Sequence, residues 1–186
     1  MELTTIMDHG IILVNENDEE IGIGEKMEVH RKALLHRAFS IFIFNSKNEM
    51  LLQQRAFSKY HSGGLWTNAC CSHPMPGEEN KAGAVRRLFE EMGFTTELTK
   101  IFHFTYKHAF DNGLTEFEFD HVFVGSYDGK VYPNEHEASD YCFMSMNSIE
   151  LSLLSHPQKF SAWFHIAFPM IKKWLHNSGK LQIETV

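Results

Sequence analysis

The chain has 186 residues, of which 43% are hydrophobic and 13% are aromatic. This composition is typical of one globular domain with a single core and excludes an intrinsically disordered chain. The formal net charge is −7 and no run of Lys or Arg forms a basic tract, which argues against nucleic acid as a partner.

The first half of the chain is predicted to form hairpins and strands. Ile11–Val14 and residues 20–23 flank a polar turn and predict a first hairpin. Residues 35–44 are rich in aromatic and β-branched side chains and predict a strand, whereas residues 30–36 show little periodicity. After a polar turn, Met50–Arg55 is predicted to form the arm of a second hairpin.

A helix is predicted over residues 79–92, with Gly93 as its C-cap. Apolar side chains recur along one stripe of this helix, which we expect to face the core. The stripe comprises Ala82, Val85, Leu88, Phe89 and Met92.

Two strands are predicted in the middle of the chain, over residues 101–107 and 115–127, around a turn at residues 111–113. Residues 132–146 are mixed in character and predict no regular element. Further helices are predicted over residues 148–154 and 160–175.

The order of these elements predicts the fold class. Pro169 is expected to kink the last helix. Early hairpins, a central helix and a terminal helix predict an α/β (α+β) fold in which a mixed sheet lies between helices. No repeat or linker divides the chain, so residues 1–186 are expected to form a single domain.

Residues 66–74 place a thiol and an imidazole two positions apart. If this segment is extended, Cys71 and His73 point to one face and Cys70 points to the other. Free cysteine is often simply buried, so the pair alone favours a structural role. Its significance depends on which other polar residues converge on the same face.

A second alternating segment carries carboxylates. Glu116, Glu118 and Asp120 alternate with Phe117 and Phe119. Such carboxylates are commonly solvated, but two close carboxylates also suit a divalent cation if imidazoles complete the site. The candidate imidazoles are His30, His36 and His73, although spacing alone leaves His61 and His108 equally available.

Residues 78–93 resemble the second half of the Nudix box, a motif whose carboxylates bind metal on a diphosphate. The matching positions are Glu78, Arg86, Glu90 and Glu91. Ser72 and Arg87 stand where the motif has its leading Gly and its first helical Glu. The loss of that Glu weakens the metal cluster of a hydrolase.

With these two replacements and with the segment around Cys71, the sequence resembles one branch of the Nudix superfamily, the type I isopentenyl-diphosphate isomerases. The likeness runs from about Lys26 to Trp163. The matching residues occur in the family's order: Glu25-Lys26, His30, His36-Arg37-Ala38-Phe39-Ser40, Arg55, Lys59, Trp66-Thr67-Asn68, Cys71-Ser72-His73-Pro74, Arg86-Arg87, Tyr106, Glu116-Phe117-Glu118 and Phe160-Ser161-Ala162-Trp163.

The resemblance implies a Nudix-like fold and two metals. One divalent ion, Mn²⁺, Mg²⁺ or Zn²⁺, would be held by His30, His36, His73, Glu116 and Glu118. A second ion, Mg²⁺, would accompany the substrate diphosphate near Glu91. The implied diphosphate-binding residues, which could otherwise be ordinary surface charges, are Lys26, Arg55, Lys59 and Arg87.

The activity implied is the interconversion of isopentenyl and dimethylallyl diphosphate in isoprenoid biosynthesis. One proton is added to the terminal alkene carbon and another leaves the neighbouring methylene, through a tertiary carbocation-like state. Cys71 suits one transfer, since a thiol pKa of about 8.5 is readily tuned. Glu118, assisted by Tyr106, suits the other. The ring face of Trp163 could stabilise the cation by about 2 kcal/mol.

Two alternatives remain open at this point. One is a Nudix hydrolase that uses Glu90 and Glu91 with Mg²⁺, against which Arg87 counts. The other is a non-catalytic metalloprotein in which Cys71 is merely buried.

The expected compartment follows from the cysteines and from the absence of targeting patterns. Cys70, Cys71 and Cys142 cannot all pair, which argues against a disulfide framework. No signal-peptide pattern and no apolar run of about 20 residues is present. We therefore expect a cytoplasmic protein without a membrane span, acting as a monomer or homodimer.

Overall fold

The computed structural model describes residues 10–179. Within that range, nine strands form one sheet, accompanied by four α-helices. The strands are β1 Ile11–Val14, β2 Glu20–Gly24, β3 His36–Phe44, β4 Met50–Arg55, β5 Trp66–Asn68, β6 Cys70–Ser72, β7 Thr99–Ala109, β8 Thr115–Ser126 and β9 Ala138–Met144. The helices are α1 Lys26–Lys32, α2 Asn80–Met92, α3 Met146–Ser155 and α4 Ala162–Asn177.

The hairpin of β1 and β2 is antiparallel, as predicted. The polar turn after β3 is also present, since the Asn45 amide donates to the Glu49 carbonyl at 3.0 Å. However, β3 and β4 pair only at Phe44 and Met50, and β4 otherwise pairs with β5 and β9. The second hairpin is therefore confined to its turn.

The short helix α1 occupies part of the segment that shows little periodicity. Its N-terminus is capped by the Glu25 carboxylate, which accepts hydrogen bonds from the amides of Met27 and Glu28, each at 2.8 Å. Ala33 ends the helix in the left-handed conformation with φ of 51°. Seven residues are only two turns, too few for a helical stripe to stand out.

The sheet is mixed because β3 lies between partners of opposite direction. β3 runs parallel to β8 over residues 36–44 and 118–126, and antiparallel to β6. β8 in turn pairs with β7 in the predicted antiparallel arrangement. The parallel pairing is possible because a long connection containing α2 separates the two strands.

Helices cover both faces of this sheet. On one face, Phe39, Ile41 and Ile43 of β3 pack in a core with residues of α2. On the other, Phe42 and Phe44 share a core with residues of α3 and α4. Because β3 is buried on both faces, it is apolar over most of its length. The predicted mixed sheet between helices is therefore confirmed.

The predicted helix α2 is present, but part of its predicted apolar stripe is wrong. Gly93 forms the predicted C-cap, with φ of 76° and its amide bonded to the Phe89 carbonyl. The buried positions of α2 are Gly83, Ala84, Leu88, Glu91 and Met92. The buried face thus follows the spacing of positions 84, 88 and 91, which turns Ala82 outward and leaves Phe89 59% exposed.

Three elements complete the described chain. β9 pairs antiparallel with β4, on the edge opposite β5. It lies in a segment for which the sequence predicts no strand. The predicted helices are present as α3 and α4, and α4 continues past Pro169 to Asn177. Among residues 10–179, no helix combines the length and hydrophobicity that crossing a bilayer requires.

Candidate active site

Three neighbouring strands place Tyr106, Glu118 and His36 in one row across the sheet. The parallel register of β8 and β3 pairs Glu118 with His36. The antiparallel register of β8 and β7 pairs Glu118 with Tyr106. Because directly paired residues point to the same face of a sheet, all three side chains lie on one face. That face carries the candidate site.

Glu116 and Glu118 lie among buried histidines. Glu116 Oε2 is 3.1 Å from His30 Nε2 and 3.7 Å from His36 Nε2. Glu118 Oε1 is 3.2 Å from His73 Nε2 and 3.7 Å from His36 Nε2. The two carboxylate side chains are only 5% and 12% exposed. They are therefore not the solvated, outward-facing carboxylates that an alternating strand commonly carries.

The donor atoms of this cluster fit a metal ion. One ligand atom from each of His30, His36, His73 and Glu116 lies within 4.8 Å of the others. His30 Nε2, His36 Nε2 and Glu116 Oε2 are buried and form no hydrogen bond within the described residues. Buried polar atoms normally have partners, and imidazole with carboxylate suits Zn²⁺ or Mn²⁺.

Backbone carbonyls orient two of these imidazoles. His30 Nδ1 lies 2.6 Å from the Lys26 carbonyl, and His36 Nδ1 lies 2.9 Å from the Leu34 carbonyl. A neutral imidazole that donates from Nδ1 keeps its lone pair on Nε2. Both Nε2 atoms face Glu116, so the backbone aims these nitrogens into the cluster.

The charges of the cluster oppose the effect of burial. Burial alone would lower the pKa of His36, but its contacts with Glu116 and Glu118 outweigh burial and raise its pKa to about 10. For His73, burial dominates and lowers the pKa to about 4. His73 is therefore neutral at pH 7, whereas His36 holds a proton unless a cation replaces it.

Cys71 lies on the same face as His73, as the alternation predicted. β6 pairs Cys71 with Ser40, and Cys71 and His73 line one pocket. Cys71 Sγ donates to Asn68 Oδ1 at 3.1 Å. Cys70 is fully buried on the opposite face, in the core beneath α2.

The surroundings of Cys71 favour the protonated thiol. Burial raises the pKa of Cys71, and the nearby charge of Asp120 raises it further. Ser40 Oγ donates to Asp120 Oδ2 at 2.7 Å and lies 3.4 Å from Cys71 Sγ. Cys71 therefore has a proton to give at neutral pH, which suits a general acid.

Tyr106 is held against the second candidate proton carrier. Its hydroxyl donates to Glu118 Oε2 at 2.8 Å. Burial raises the pKa of Tyr106, and the charge of Glu118 adds to this effect. Tyr106 therefore remains protonated and lies where it could pass a proton to or from Glu118.

The predicted diphosphate-binding residues surround the same pocket. They are Lys26, Arg55, Lys59 and Arg87. Trp163 also lines the pocket and is 3% exposed. The guanidinium carbon of Arg55 lies 5.1 Å from the Trp163 ring centroid, so this ring already attracts one cation.

The two glutamates of the Nudix-like helix have different environments. Glu91 is buried and accepts hydrogen bonds from Arg87 at 2.8 Å and from Gln53 at 3.1 Å. Burial raises the pKa of Glu91, although Arg87 opposes this. Glu90 is 40% exposed and is paired with Arg86 and Arg87 on the outer side of α2. Of this pair, only Glu91 lines the pocket.

Three residues of the site were not identified from the sequence as having a role. Glu137 lines the pocket and contacts Lys59 and Arg87. His61 Nε2 lies 2.8 Å from Glu116 Oε1, and Asn68 contacts Cys71. Glu137 precedes an unrecognised strand, and no pattern marks it. Spacing marks His61 only as one available imidazole, and Asn68 is marked only as part of the family-like segment.

Known proteins resemble this chain in both sequence and fold. The NUDIX domain family matches residues 34–164. A protein from Pectobacterium atrosepticum named isopentenyl-diphosphate Delta-isomerase is 49% identical, over 87% of this chain and 90% of its own length. A protein of that name from Serratia proteamaculans is 51% identical, over 85% of this chain and 88% of its own length.

Solved structures resemble the fold at low sequence identity. The MutT protein from Methanosarcina mazei has a TM-score of 0.62 at 22% identity, covering 75% of this chain and 94% of its own. An Ap4A hydrolase from C. elegans has a TM-score of 0.55 at 20% identity, covering 76% and 98%. At these identities the likeness supports the fold alone.

Proposed function

This chain belongs to the type I isopentenyl-diphosphate Delta-isomerases of the NUDIX superfamily, and we propose that Cys71 and the Glu118–Tyr106 pair carry out its proton transfers. The enzyme interconverts isopentenyl diphosphate and dimethylallyl diphosphate in isoprenoid biosynthesis. The observation that carries the proposal is one pocket lined by Cys71, Tyr106, Glu118 and Trp163 beside a group of cations.

The reaction needs two proton carriers acting on different carbons. A proton added to the terminal alkene carbon of isopentenyl diphosphate creates a tertiary cation. A proton lost from the neighbouring methylene then forms the new double bond. Cys71 comes from β6 and Glu118 from β8, so the two carriers reach the pocket from different strands. Each transfer is expected to contribute about 10²–10⁴-fold in rate.

The surroundings of each group support the proposed roles. Burial keeps the Cys71 thiol protonated, so Cys71 donates the first proton. Glu118 has a lowered pKa despite its burial and the repulsion from Glu116, because His36 and His73 stabilise its anion. The anionic Glu118 accepts the second proton, and the Tyr106 hydroxyl relays it.

The cation formed between the two steps needs a neighbour that attracts it without reacting with it. The Trp163 ring offers such a face, worth about 2 kcal/mol when water is excluded. Arg55 is drawn to the same ring. With the substrate bound, the diphosphate would hold Arg55 near Lys59 and Arg87, while the hydrocarbon end lies toward Trp163.

The metals are assigned to two groups of residues. We propose that His30, His36, His73, Glu116 and Glu118 hold one divalent ion, Mn²⁺, Mg²⁺ or Zn²⁺. The convergent donor atoms of the first four residues support this assignment, and Glu118 is included because it contacts His36 and His73. We propose that Glu91 helps to hold Mg²⁺ with the substrate diphosphate. When bound, such ions neutralise anionic charge and fix the carboxylates and the diphosphate in position.

The wider assignments are proposals as well. We propose that residues 1–186 form one domain that acts in the cytoplasm as a monomer or homodimer. The three free cysteines within the described residues support a reducing compartment.

A NUDIX hydrolase is the main competing function. Its helix would need carboxylates directed at the pocket, but Arg87 stands at one such position and Glu90 is on the outer side of α2. A second competitor is a structural metalloprotein. In that case the cations and Trp163 around the pocket would have no ligand to bind.

Turnover in heavy water with Mg²⁺ separates these functions. An isomerase converts isopentenyl diphosphate to dimethylallyl diphosphate with deuterium in a methyl group and releases no phosphate. Glu118→Gln should suppress the labelling while the diphosphate still binds, because Arg55, Lys59 and Arg87 are unchanged. The products are measured by NMR and mass spectrometry.

The other two functions predict different products. A hydrolase releases phosphate or diphosphate and leaves the carbon skeleton unlabelled. A structural metalloprotein does neither. Phosphate release without methyl deuteration would overturn the proposed proton transfers by Cys71 and Glu118.

A further inference from the structure

Glu137 forms ion pairs with two of the cations proposed to bind the substrate diphosphate. Its Oε2 atom is bonded to Lys59 Nζ, and its Oε1 atom accepts from the Arg87 guanidinium at 3.0 Å. The side chains of Glu137, Lys59 and Arg87 are 19%, 22% and 21% exposed. These contacts are therefore largely shielded from water and are weakly screened by salt.

The neighbours of Glu137 stabilise its negative charge. Burial alone would raise its pKa, but the hydrogen bond from Lys59 and the charge of Arg87 outweigh burial and lower the pKa. Glu137 is therefore an anion at neutral pH. A diphosphate that uses Lys59 and Arg87 must compete with this anion for the same hydrogen-bond donors.

The backbone around Glu137 is fixed on both sides. The Ala56 amide donates to the Glu137 carbonyl at 2.9 Å, and the Glu137 amide donates to the Asn134 carbonyl at 2.8 Å. The Asn134 amide in turn donates to the Glu91 carbonyl at 2.8 Å. These hydrogen bonds fix the backbone of Glu137, so only its side chain can move when a diphosphate displaces it from Lys59 and Arg87.

A second carboxylate reinforces this competition. Glu91 Oε1 contacts the same Arg87 nitrogen as Glu137, at 2.8 Å. A free diphosphate that displaces the two carboxylates leaves both of them without a cation in a shielded site, which is costly. A diphosphate that arrives with Mg²⁺ brings less negative charge and a cation for these carboxylates.

We propose that Glu137 is a specificity-determining residue that makes this pocket select the magnesium complex of a diphosphate over the free diphosphate. The inference rests on the proposed binding of diphosphate by Lys59 and Arg87. It adds a residue that discriminates between two forms of the same ligand.

Inorganic diphosphate is a suitable probe because it lacks the hydrocarbon chain. Calorimetry would measure its affinity for the full chain loaded with Zn²⁺ at the proposed histidine–glutamate site, in buffer without added Mg²⁺ and in buffer with excess Mg²⁺. Wild type, Glu137→Gln and Glu137→Ala are compared with Glu135→Gln. Glu135 is exposed in the same turn and provides the same change of charge.

The two Glu137 variants should bind free diphosphate about tenfold more tightly than wild type, as expected for the removal of one shielded like charge. The ratio of affinities with and without Mg²⁺ should fall accordingly. Glu135→Gln should keep the wild-type ratio. Thermal unfolding of each variant would establish that it is folded.

The measurements distinguish failure of the role proposed for Glu137 from failure of the proposed diphosphate site. If wild type binds magnesium diphosphate but the Glu137 variants keep its preference, the role of Glu137 is overturned and the proposed pocket stands. If Glu135→Gln loosens the preference equally, net charge rather than position is responsible, which also overturns the inference. If wild type binds diphosphate under neither condition, the proposed diphosphate site itself is overturned.

Discussion

The Cys71 thiol donates a hydrogen bond to the Asn68 side-chain oxygen at 3.1 Å. Asn68 cannot turn away, because its amide nitrogen donates to the carbonyls of Ile41 and Cys70 at 3.0 and 2.9 Å. Thr67 Oγ1 also donates to Asn68 Oδ1, at 2.9 Å. Asn68 therefore holds the Cys71 thiol in a fixed position at the pocket.

We expect Asn68→Ala to lower kcat by about 10²-fold with little change in KM, because a misdirected thiol affects the transfer and not diphosphate binding. Steady-state kinetics would measure both constants. Thr67→Val is the matched control, because it removes a hydrogen bond to Asn68 without touching Cys71. Wild-type kcat in folded Asn68→Ala would contradict the positioning role.

Cys71→Ser and Cys70→Ser should differ sharply although the residues are adjacent. Cys71→Ser is expected to lower turnover by about 10²–10⁴-fold, because a hydroxyl is a much weaker acid than a thiol. Cys70→Ser should keep most of the turnover but lower the free energy of unfolding by about 1–3 kcal/mol, since it buries a hydroxyl in the core. Turnover assays and urea unfolding measure the two effects. Equal loss of turnover in both variants would refute the assignment.

Metal binding at the histidine cluster should release a proton from His36. With its pKa raised to about 10 by Glu116 and Glu118, His36 is protonated at pH 8 before metal binds. His73, with a pKa of about 4, has no proton to lose. Metal affinity should therefore rise about tenfold per pH unit up to about pH 10, as the competing proton is lost.

Calorimetry in buffers of different ionisation enthalpy measures this proton release at pH 8. His36→Gln is the comparison, and it should bind metal more weakly and release less than wild type. A wild-type value of zero protons would show that His36 is not the residue displaced.

Trp163→Phe should keep appreciable turnover, and Trp163→Leu should lose far more. A smaller aromatic face still attracts a cation, whereas an aliphatic side chain does not, a difference of about 1–2 kcal/mol or roughly tenfold in rate. Both variants need a folding check, because Trp163 is 3% exposed. Equal rates in two folded variants would leave packing as the function of Trp163.

Local patterns predicted much of this fold because the determinants are close in sequence. The β1–β2 hairpin and the Gly93 cap of α2 each depend on a few consecutive residues. Alternation also predicted that Cys70 and Cys71 face opposite sides. By contrast, α1 depends on a side-chain cap by Glu25, and its two turns give little periodicity.

The features that local sequence patterns do not predict depend on contacts between distant segments. Nothing in residues 138–144 alone indicates pairing with β4. The environment of Glu137 results from its contacts with Lys59 and Arg87, which belong to two other segments. The inward direction of Glu116 and Glu118 also depends on which face of β8 is covered. The resemblance to a family therefore predicts the candidate metal ligands, and the structure shows that His30, His36, His73 and Glu116 converge.

The parallel pairing of β3 with β8 has a consequence for folding kinetics. The register of this pairing places Glu118 beside His36, although residues 45–114 separate the two strands in sequence. Closing so large a loop is slow, and parallel pairings of high contact order form late. During synthesis, His30, His36 and His73 leave the ribosome well before either carboxylate. The nascent chain therefore cannot assemble the proposed ligand set early, and metal binding at this site is expected to be a late event that stabilises the completed sheet.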